Sequence, residues 1–168
     1  MIYFLVPVLL LFFSLAYAAG SGAPWVPTFK RDIERVRKLL DLKAGEIFVE
    51  LGCGDGRVVL GVTKGTSVRG VGVELSIAQW GVAQIRRILT RSWKSRFVLG
   101  NLFSYDLRDA DAVYFFLLPE TYEKLRPKLE AELRPGARVV SFVWPIQGWT
   151  PEKVEEMEGA PKVHLYVR

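Results

Sequence analysis

The sequence predicts an α/β fold: a doubly wound sheet with a terminal antiparallel hairpin, preceded by an N-terminal transmembrane helix. Three observations support it: a strand that runs into a glycine-rich loop at residues 46–57, apolar strands alternating with amphipathic helices after it, and an uninterrupted apolar run at residues 2–19. Alternating strands and helices build a parallel sheet with helices on both faces. A chain of 168 residues is the length of one such domain.

The glycine-rich loop is the stretch around which the rest of the chain is organised. Its first six residues are apolar, β-branched or aromatic apart from two acids, which suits a buried parallel strand. Gly52, Gly54 and Gly56 follow, and Arg57 to Lys64 can form a helix. Glycine permits positive φ and leaves no Cβ in the way of a ligand. The stretch therefore predicts a nucleotide cradle in which backbone N–H groups point at the ligand.

The spacing of these glycines indicates which nucleotide is bound. A dinucleotide fingerprint requires glycine or alanine where Arg57 stands, so this loop has a different spacing. Glu50 precedes the loop, and Glu74 ends the next predicted strand, where a carboxylate can accept both ribose hydroxyls. The alternative is a glycine-rich loop in some other α/β protein. The order of strand, loop, helix and acid favours the nucleotide site.

Composition restricts the function without choosing it. Lys and Arg number 23 against 18 Asp and Glu, which favours acidic partners, a membrane surface or nucleic acid. Cys53 is the only cysteine, so disulfides and cysteine metal clusters are excluded. The scarcity of thermolabile residues, with one His and one Asn, is typical of a thermophilic source.

The apolar run at the N-terminus has two interpretations. The residues Ala16-Tyr17-Ala18 resemble a signal-peptide cleavage site. However, no Lys or Arg precedes the run, and five basic residues follow it within residues 30–38. The positive-inside rule then leaves the rest of the chain in the cytoplasm. We therefore predict an uncleaved single-pass anchor at residues 1–19, a linker at residues 20–27 and the catalytic domain at residues 28–168.

Two helices flank the first strands. Thr28 can cap a helix that runs to about Leu42 and has basic residues on its polar side. Ser76 can cap a second helix to about Thr90. The residues predicted to pack inward are Phe29, Ile33, Val36, Leu39 and Leu40 in the first helix, and Ile77, Trp80, Ile85 and Leu89 in the second.

The second half continues the alternation of strands and helices. Strands are predicted at 97–99, 112–118 and 138–144, and a helix at 120–132 follows Pro119. The segments 154–157 and 163–167 can pair as the terminal hairpin. Asn101 and Leu102 follow the third strand, at the edge of the sheet where ligands bind in such folds. An ordinary turn asparagine is the alternative interpretation of Asn101.

Several motifs together resemble a known family. The informative stretches are residues 25–28, 50–57, 72–74, 100–103, 116–119, 127–136, 138–141 and 148–149. They resemble the small protein-lysine methyltransferases that include a broad-specificity archaeal enzyme and mitochondrial inner-membrane enzymes, over about residues 24–168. The first glycine motif is common to all class I S-adenosylmethionine (SAM) methyltransferases. The Val26-Pro27-Thr28 entry and the Arg138-to-Ser141 segment are far more particular.

This resemblance implies methylation of lysine ε-amines in protein substrates, with SAM as the cofactor and an archaeal source. It also implies roles for single residues. The implied cofactor-binding residues are Glu50, Gly52, Gly54, Asp55 and Gly56 around the methionine end, Glu74 at the ribose, Asn101 and Leu102 at the adenine, and Thr28 over the carboxylate. One departure concerns Phe142 to Pro145, where the archaeal relative is polar and acidic, so the choice of substrate could differ.

Methyl transfer from a sulfonium is an in-line displacement, so the protein mainly positions the reactants and excludes water. The target lysine must be neutral, which a less polar site favours. Aromatic faces can stabilise the partial positive charge of the methyl group. We predict Phe116, Tyr122 and Trp144 as walls of the substrate channel, with plain core or surface aromatics as the alternative. No residue stands out as a general base.

Other methyl acceptors fit less well. Pyrimidine C5 methylation needs a cysteine nucleophile, and the sole cysteine lies in the glycine-rich loop. Adenine or glutamine N-methylation usually accompanies an Asn-Pro-Pro-aromatic motif, whereas residues 116–119 read Phe-Leu-Leu-Pro. Nucleic acid is therefore not the expected substrate, and membrane contact is expected through residues 2–19. The alternatives are an RNA or small-molecule methyltransferase and a non-catalytic SAM-binding module.

Overall fold

A seven-stranded mixed sheet forms the centre of the protein. The structure is a computed structural model and describes residues 26–168. The elements are α1 (Lys30–Leu40), β1 (Ile47–Leu51), α2 (Arg57–Thr63), β2 (Arg69–Glu74), α3 (Ile77–Leu89), β3 (Ser95–Leu99), β4 (Ala112–Phe115), α4 (Pro119–Glu132), β5 (Arg138–Phe142), β6 (Lys153–Glu155) and β7 (Val163–Val167).

The strand order is β3-β2-β1-β4-β5-β7-β6. Strands β1 to β5 pair in parallel, and β7 pairs antiparallel with both β5 and β6. The predicted doubly wound sheet with a terminal antiparallel hairpin is therefore confirmed. The chain order reverses between β1 and β4, and ligands of such sheets bind at this switch point, beyond the carboxyl ends of the strands.

Each face of the sheet has its own core because side chains alternate along every strand. Helices α1, α2 and α3 cover one face, where Phe48 and Tyr114 are buried. Helix α4 covers the other face, and Leu125 and Leu129 pack there on Val113. The central strands β1 and β4 are buried almost throughout, as expected for apolar strands covered on both sides.

The start of α1 differs from the prediction. The helix begins at Lys30, and its N-cap is Phe29 without a side-chain capping bond. Thr28 is buried instead of capping the helix, and Phe29 is exposed although it was predicted to pack inward. The basic side of α1 also differs, because Arg35 is buried and forms ion pairs with Asp32 (2.8 Å) and Glu155. Burial of this guanidinium is stable only because both of its partners are acids.

Helix α3 has the predicted cap and a different orientation. Ser76 Oγ accepts a hydrogen bond from the Gln79 N–H, as predicted. Ile77, Ile85 and Leu89, however, are exposed and do not pack in the core. Trp80 explains the rotation of the helix, because its indole N–H donates to the Phe97 carbonyl at 3.0 Å.

Two strands end earlier than predicted. Strand β4 stops at Phe115 and β5 stops at Phe142, so the residues that follow both strands belong to loops at the carboxyl edge. No helix in the part of the chain that the structure describes is long and apolar enough to cross a membrane. The predicted anchor at residues 1–19 lies outside the described residues.

Candidate active site

The glycine-rich loop connects β1 to α2 at the switch point of the sheet. Gly52, Gly54 and Gly56 have φ values of +76°, +52° and +74°, which L side chains adopt only with strain. Space is also restricted, because a Cβ atom on Gly52 would lie 2.9 Å from Cδ2 of Leu117. The loop therefore requires glycine for its conformation, and at Gly52 also for close packing against the segment after β4.

The backbone amides of this loop are used inside the protein. Gly52 N and Cys53 N donate to the Val73 carbonyl at 2.9 and 3.0 Å. Gly54 N donates to Glu74 Oε2 at 2.8 Å, and Gly56 N donates to the Cys53 carbonyl at 2.9 Å. The expectation that these N–H groups point at a ligand is therefore wrong for these four residues. What the loop provides is a fixed shape that is organised before any ligand arrives.

Glu50 is a buried carboxylate at the end of β1, and Oε2 accepts a hydrogen bond from Val59 N at 3.1 Å. Burial raises the pKa of Glu50 well above its ordinary value of 4.5, and the charges of Asp55 and Glu74 raise it further. Arg57 favours the ionised form, but its effect is the smallest of the causes. A cationic ligand group next to Glu50 would therefore gain a partner that the protein itself compensates only weakly.

Asp55 fastens the loop to two helices. Its Oδ2 atom lies 2.6 Å from Arg57 Nη2 and 3.0 Å from Arg86 Nη2. Arg57 begins α2 and Arg86 belongs to α3. Because Asp55 is buried and paired with two guanidinium groups, its direct effect is on the position of the loop.

Glu74 joins the loop to the start of α3. Its Oε2 atom accepts from Gly54 N, and its Oε1 atom accepts from Ser76 N, both at 2.8 Å. Each carboxylate oxygen has further lone-pair capacity, so these bonds leave Glu74 able to accept hydroxyl groups of a ligand. The Glu74 carbonyl also accepts from Gly100 N at 2.8 Å, which brings the turn after β3 beside it.

That turn contains Asn101 and Leu102. Asn101 is exposed, and its Oδ1 atom accepts from Phe103 N at 2.9 Å, which is the turn-forming contact of the alternative interpretation. Leu102 is half-buried and packs on the core of the α4 face. The adenine-binding roles of these two residues stay predictions.

Tyr114 is a polar residue that sequence reasoning missed. It lies opposite Glu50 in the β1–β4 register and is fully buried. Burial raises the pKa of its phenol well above 10, the Glu50 charge adds to the effect, and Thr28 partly offsets it. Thr28, Glu50 and Tyr114 thus lie close together at the switch point. The available signal was a hydroxyl group inside the otherwise apolar run 112–118.

The aromatic residues predicted for the substrate channel occupy different environments. Trp144 is 45% exposed in the loop after β5. Phe116 is half-buried after β4, and its ring meets that of Phe142 edge-on with centroids 5.0 Å apart. Tyr122 is buried under α4, and its hydroxyl donates to the Phe142 carbonyl at 2.9 Å. The environment of Tyr122 is that of a core residue, which does not support a place in a channel wall.

Val143 has a strained backbone next to Trp144. Its φ of +74° is an outlier for a β-branched residue. Two hydrogen bonds hold the segment: Val143 N donates to the Lys162 carbonyl at 2.9 Å, and Ser141 Oγ donates to the Trp144 carbonyl at 2.7 Å. Strain of this kind persists where the surrounding structure fixes it, often at a functional site. No sequence pattern indicated this conformation.

The fold and the site define a class I SAM-dependent methyltransferase. A solved structure of an RNA methyltransferase from Salinibacter ruber in complex with S-adenosyl-L-homocysteine matches with a TM-score of 0.81 and 32% identity, covering 84% of this chain and 93% of that one. A SAM-dependent methyltransferase from Thiobacillus denitrificans shares the fold at a TM-score of 0.62 and 19% identity, over 70% of this chain and 49% of that one. The cofactor of this chain is S-adenosylmethionine.

Residues 50–153 match the ANTKMT methyltransferase domain, and the chain belongs to that family. It is 36% identical to a protein-lysine N-methyltransferase of Saccharolobus islandicus, over 86% of this chain and 92% of the relative. It is 37% identical to the adenine nucleotide translocase lysine N-methyltransferase of Mus musculus, over 85% of this chain and 62% of the relative. An ATP synthase lysine N-methyltransferase of Rattus norvegicus is 33% identical, over 85% of this chain and 65% of the relative. The chain therefore spans less than two thirds of the mouse and rat enzymes.

The residues present fit the cofactor. Two carboxylates, Glu50 and Glu74, lie at the carboxyl ends of adjacent strands, beside a loop whose shape depends on glycine. This set of acceptors matches a ligand that carries cationic groups and ribose hydroxyls.

Proposed function

We propose that this chain transfers methyl groups from SAM to lysine ε-amines of protein substrates. The observation that carries the proposal is the similarity to the Saccharolobus protein-lysine N-methyltransferase over 92% of that enzyme's length. The organisation of the site agrees with it, because acids and a glycine-rich loop occupy the switch point while aromatic and aliphatic side chains follow β4 and β5.

The cofactor contacts in this proposal rest on the geometry of the loop. Glu50 would face the cationic methionine end, and Glu74 would accept hydrogen bonds from the ribose. Gly52, Gly54 and Gly56 would provide the space. Asp55 would act by holding the loop to α2 and α3. Thr28, Asn101 and Leu102 would complete the site, as the family resemblance implies.

Bound SAM supplies an electrophilic methyl group on a sulfonium. The protein's part is to bring the lysine amine in line with that group, to keep the amine neutral and to exclude water. Phe116 and Trp144 are suited to line the approach, because both follow strands that end at the switch point. The amine loses a proton to water, and no residue of the site is assigned as a base.

The surface around the approach is apolar. Four exposed side chains belong to segments that precede α1 or follow β4 and β5, namely Val26, Phe29, Leu118 and Trp144. An apolar rim of this kind marks an interaction surface. We infer that the target lysine is flanked by apolar residues in the substrate protein.

Membrane anchoring is the finer part of the proposal. The apolar run at residues 2–19 and the basic residues after it support a single-pass anchor with the catalytic domain in the cytoplasm. The substrates would then be proteins at or near the same membrane. A signal peptide remains the alternative, and mass spectrometry of the mature N-terminus distinguishes the two.

RNA methylation is the second candidate function. It is favoured by the 32% identity to the structure described as an RNA methyltransferase from Salinibacter ruber and by the excess of basic residues. The similarity to the three lysine N-methyltransferases supports protein as the first candidate.

The deciding experiment uses the purified full chain in mild detergent with methyl-labelled SAM and cell extract, with and without nuclease. Label on protein, mapped to lysine by mass spectrometry, is the expected result. Label that disappears with nuclease would establish RNA as the substrate. Binding of SAM without any transfer would favour a non-catalytic module. A Glu74→Gln variant should lose label, and a Glu123→Gln variant on the exposed side of α4 should retain it.

A further inference from the structure

Helix α3 presents a continuous apolar face to solvent. The exposed side chains range from 41% to 77% in accessibility, and we call them the α3 face: Ile77, Val82, Ile85, Ile88 and Leu89. At 100° per residue they fall within one sector of the helix, and Ala78 and Gly81 lie in the same sector. A surface helix normally turns its apolar side to the core and its polar side to water.

The charged residues of α3 point away from this face. Arg86 pairs with Asp55 of the glycine-rich loop at 3.0 Å. Arg87 donates to Gln84 at 3.3 Å and lies 5.7 Å from the ring centroid of Trp93. The orientation is thus fixed by contacts with the rest of the domain, so the α3 face stays outside.

A basic rim lies beside the α3 face. Residues 75–105 contain five Lys and Arg and no Asp or Glu. Arg91, Lys94 and Arg96 are exposed beyond the C-terminus of α3. Lys94 and Arg96 donate to the neutral hydroxyls of Ser67 and Tyr105, so these contacts leave their charges uncompensated. The exposed indole of Trp93 lies in the same segment.

We propose that α3 docks into the interface of an anionic bilayer and lies in the plane of the membrane. An aliphatic face, cationic residues and a tryptophan at the margin are the features of interfacial helices. A helix of 13 residues is about 20 Å long, too short to cross the hydrocarbon core. The basic rim complements anionic lipid headgroups.

A second copy of the chain is a poorer occupant. A two-fold contact through the α3 face would bring the same patch of both copies together, and with it both basic rims. Like charges placed against each other oppose such a contact. Lipid headgroups of opposite charge remove this conflict.

Docking goes beyond the proposed methyl transfer and beyond a tether at residues 2–19. Helix α3 starts three residues after Glu74, so its N-terminal end adjoins the cofactor loop. A helix lying in the interface would hold the mouth of the site at the level of the headgroups. Lysines close to the bilayer surface would then be the ones in reach.

The test uses the full chain with a fluorophore on an introduced cysteine. Cys53 is the only native cysteine and is buried, so a thiol-reactive, environment-sensitive dye can be directed to Leu89→Cys. Glu123→Cys on the exposed side of α4 is the matched control, because it lies on the opposite face of the sheet. The wild-type chain, treated identically, gives the background from Cys53. Both variants keep residues 2–19, so a tether alone affects them equally.

With phosphatidylserine-containing vesicles, the dye at position 89 should shift to the blue and be quenched by nitroxide-labelled lipids, while the dye at position 123 should not. Phosphatidylcholine vesicles or high salt should weaken the shift. Adding Ile88→Glu should lower the docked fraction roughly tenfold or more, because burial of one Ile contributes at least that factor to partitioning.

Vesicle-bound protein whose two dyes both report water would overturn docking and leave only a tether. A blue shift at position 89 that appears without vesicles and grows with protein concentration would identify a second copy as the occupant, which also overturns the proposal. Methyl transfer to protein is measured on the same samples. Loss of docking with methyl transfer intact therefore refutes only the membrane surface.

Discussion

Replacement of Gly56 by alanine separates backbone strain from crowding, with Gly65→Ala as the matched control. The two glycines have nearly the same φ, +74° and +71°. A Cβ atom at Gly56 would lie 2.5 and 2.6 Å from Phe97 ring atoms and 3.0 Å from Ala83 Cβ. At Gly65 nothing lies within 4 Å. The two substitutions therefore share the cost of positive φ and differ in the available space.

The magnitudes follow from this comparison. Positive φ costs an alanine about 1–2 kcal/mol, and overpacking a core costs about 1–3 kcal/mol. Gly65→Ala should lower the free energy of unfolding by about 1–2 kcal/mol. Gly56→Ala should lower it by a further 1–3 kcal/mol or so. Reduced entropy of the unfolded chain stabilises both variants equally and cancels in the difference.

The measurement is urea denaturation of the full-length variants in one detergent, followed by far-UV circular dichroism. Equal losses for the two variants would refute the reasoning, because Phe97 would then make room without cost. A larger loss for Gly65→Ala would refute it more strongly. SAM affinity should fall only for Gly56→Ala, since Gly65 lies after α2, away from the glycine-rich loop.

Three further predictions concern the site. Burial raises the pKa of Glu50 above 4.5 in the folded protein, so the folded state holds the proton more tightly, and stability without cofactor should fall as pH rises above 4.5. Glu50→Gln should remove that fall in urea titrations from pH 4.5 to 8 and should weaken SAM binding in equilibrium dialysis; an unchanged pH profile would contradict the assignment. Trp144→Ala should lower kcat/KM for the protein substrate about tenfold, with KM for SAM unchanged, as for an exposed aromatic anchor worth ~1.4 kcal/mol; an unchanged kcat/KM would remove Trp144 from the approach. Tyr122→Phe should cost about 1 kcal/mol of stability through the lost bond to the Phe142 carbonyl and leave kcat unchanged, whereas a reduced kcat at full stability would return Tyr122 to the channel.

The order of strands and helices could be read from the sequence because it depends on local patterns. The loop at 52–56, the Ser76 cap and the terminal hairpin all follow from residue type and spacing. The family motifs likewise placed Glu50 and Glu74 at the ends of adjacent strands. These features require no knowledge of distant contacts.

What could not be predicted depends on contacts between distant residues. The apolar periodicity of α3 indicated an apolar face but not that it points outward. That direction is decided by the contacts of Trp80 with Phe97 and of Arg86 with Asp55. Thr28 has the side chain of a capping residue, yet packing at the switch point buries it. The positive φ of Val143 contradicts its residue type and is imposed by the surrounding loop.

The contacts of Glu74 change how an affinity measurement at this position is interpreted. One carboxylate fixes the Gly54 amide of the loop and the Ser76 amide that precedes α3. Substitution therefore alters the shape of the empty site as well as any bond to a ribose. The fall in SAM affinity for Glu74→Gln is the sum of a reorganisation energy and a contact energy. Calorimetry with adenosine, and with an analogue that lacks the ribose hydroxyls, separates the two, because only the contact energy depends on those hydroxyls.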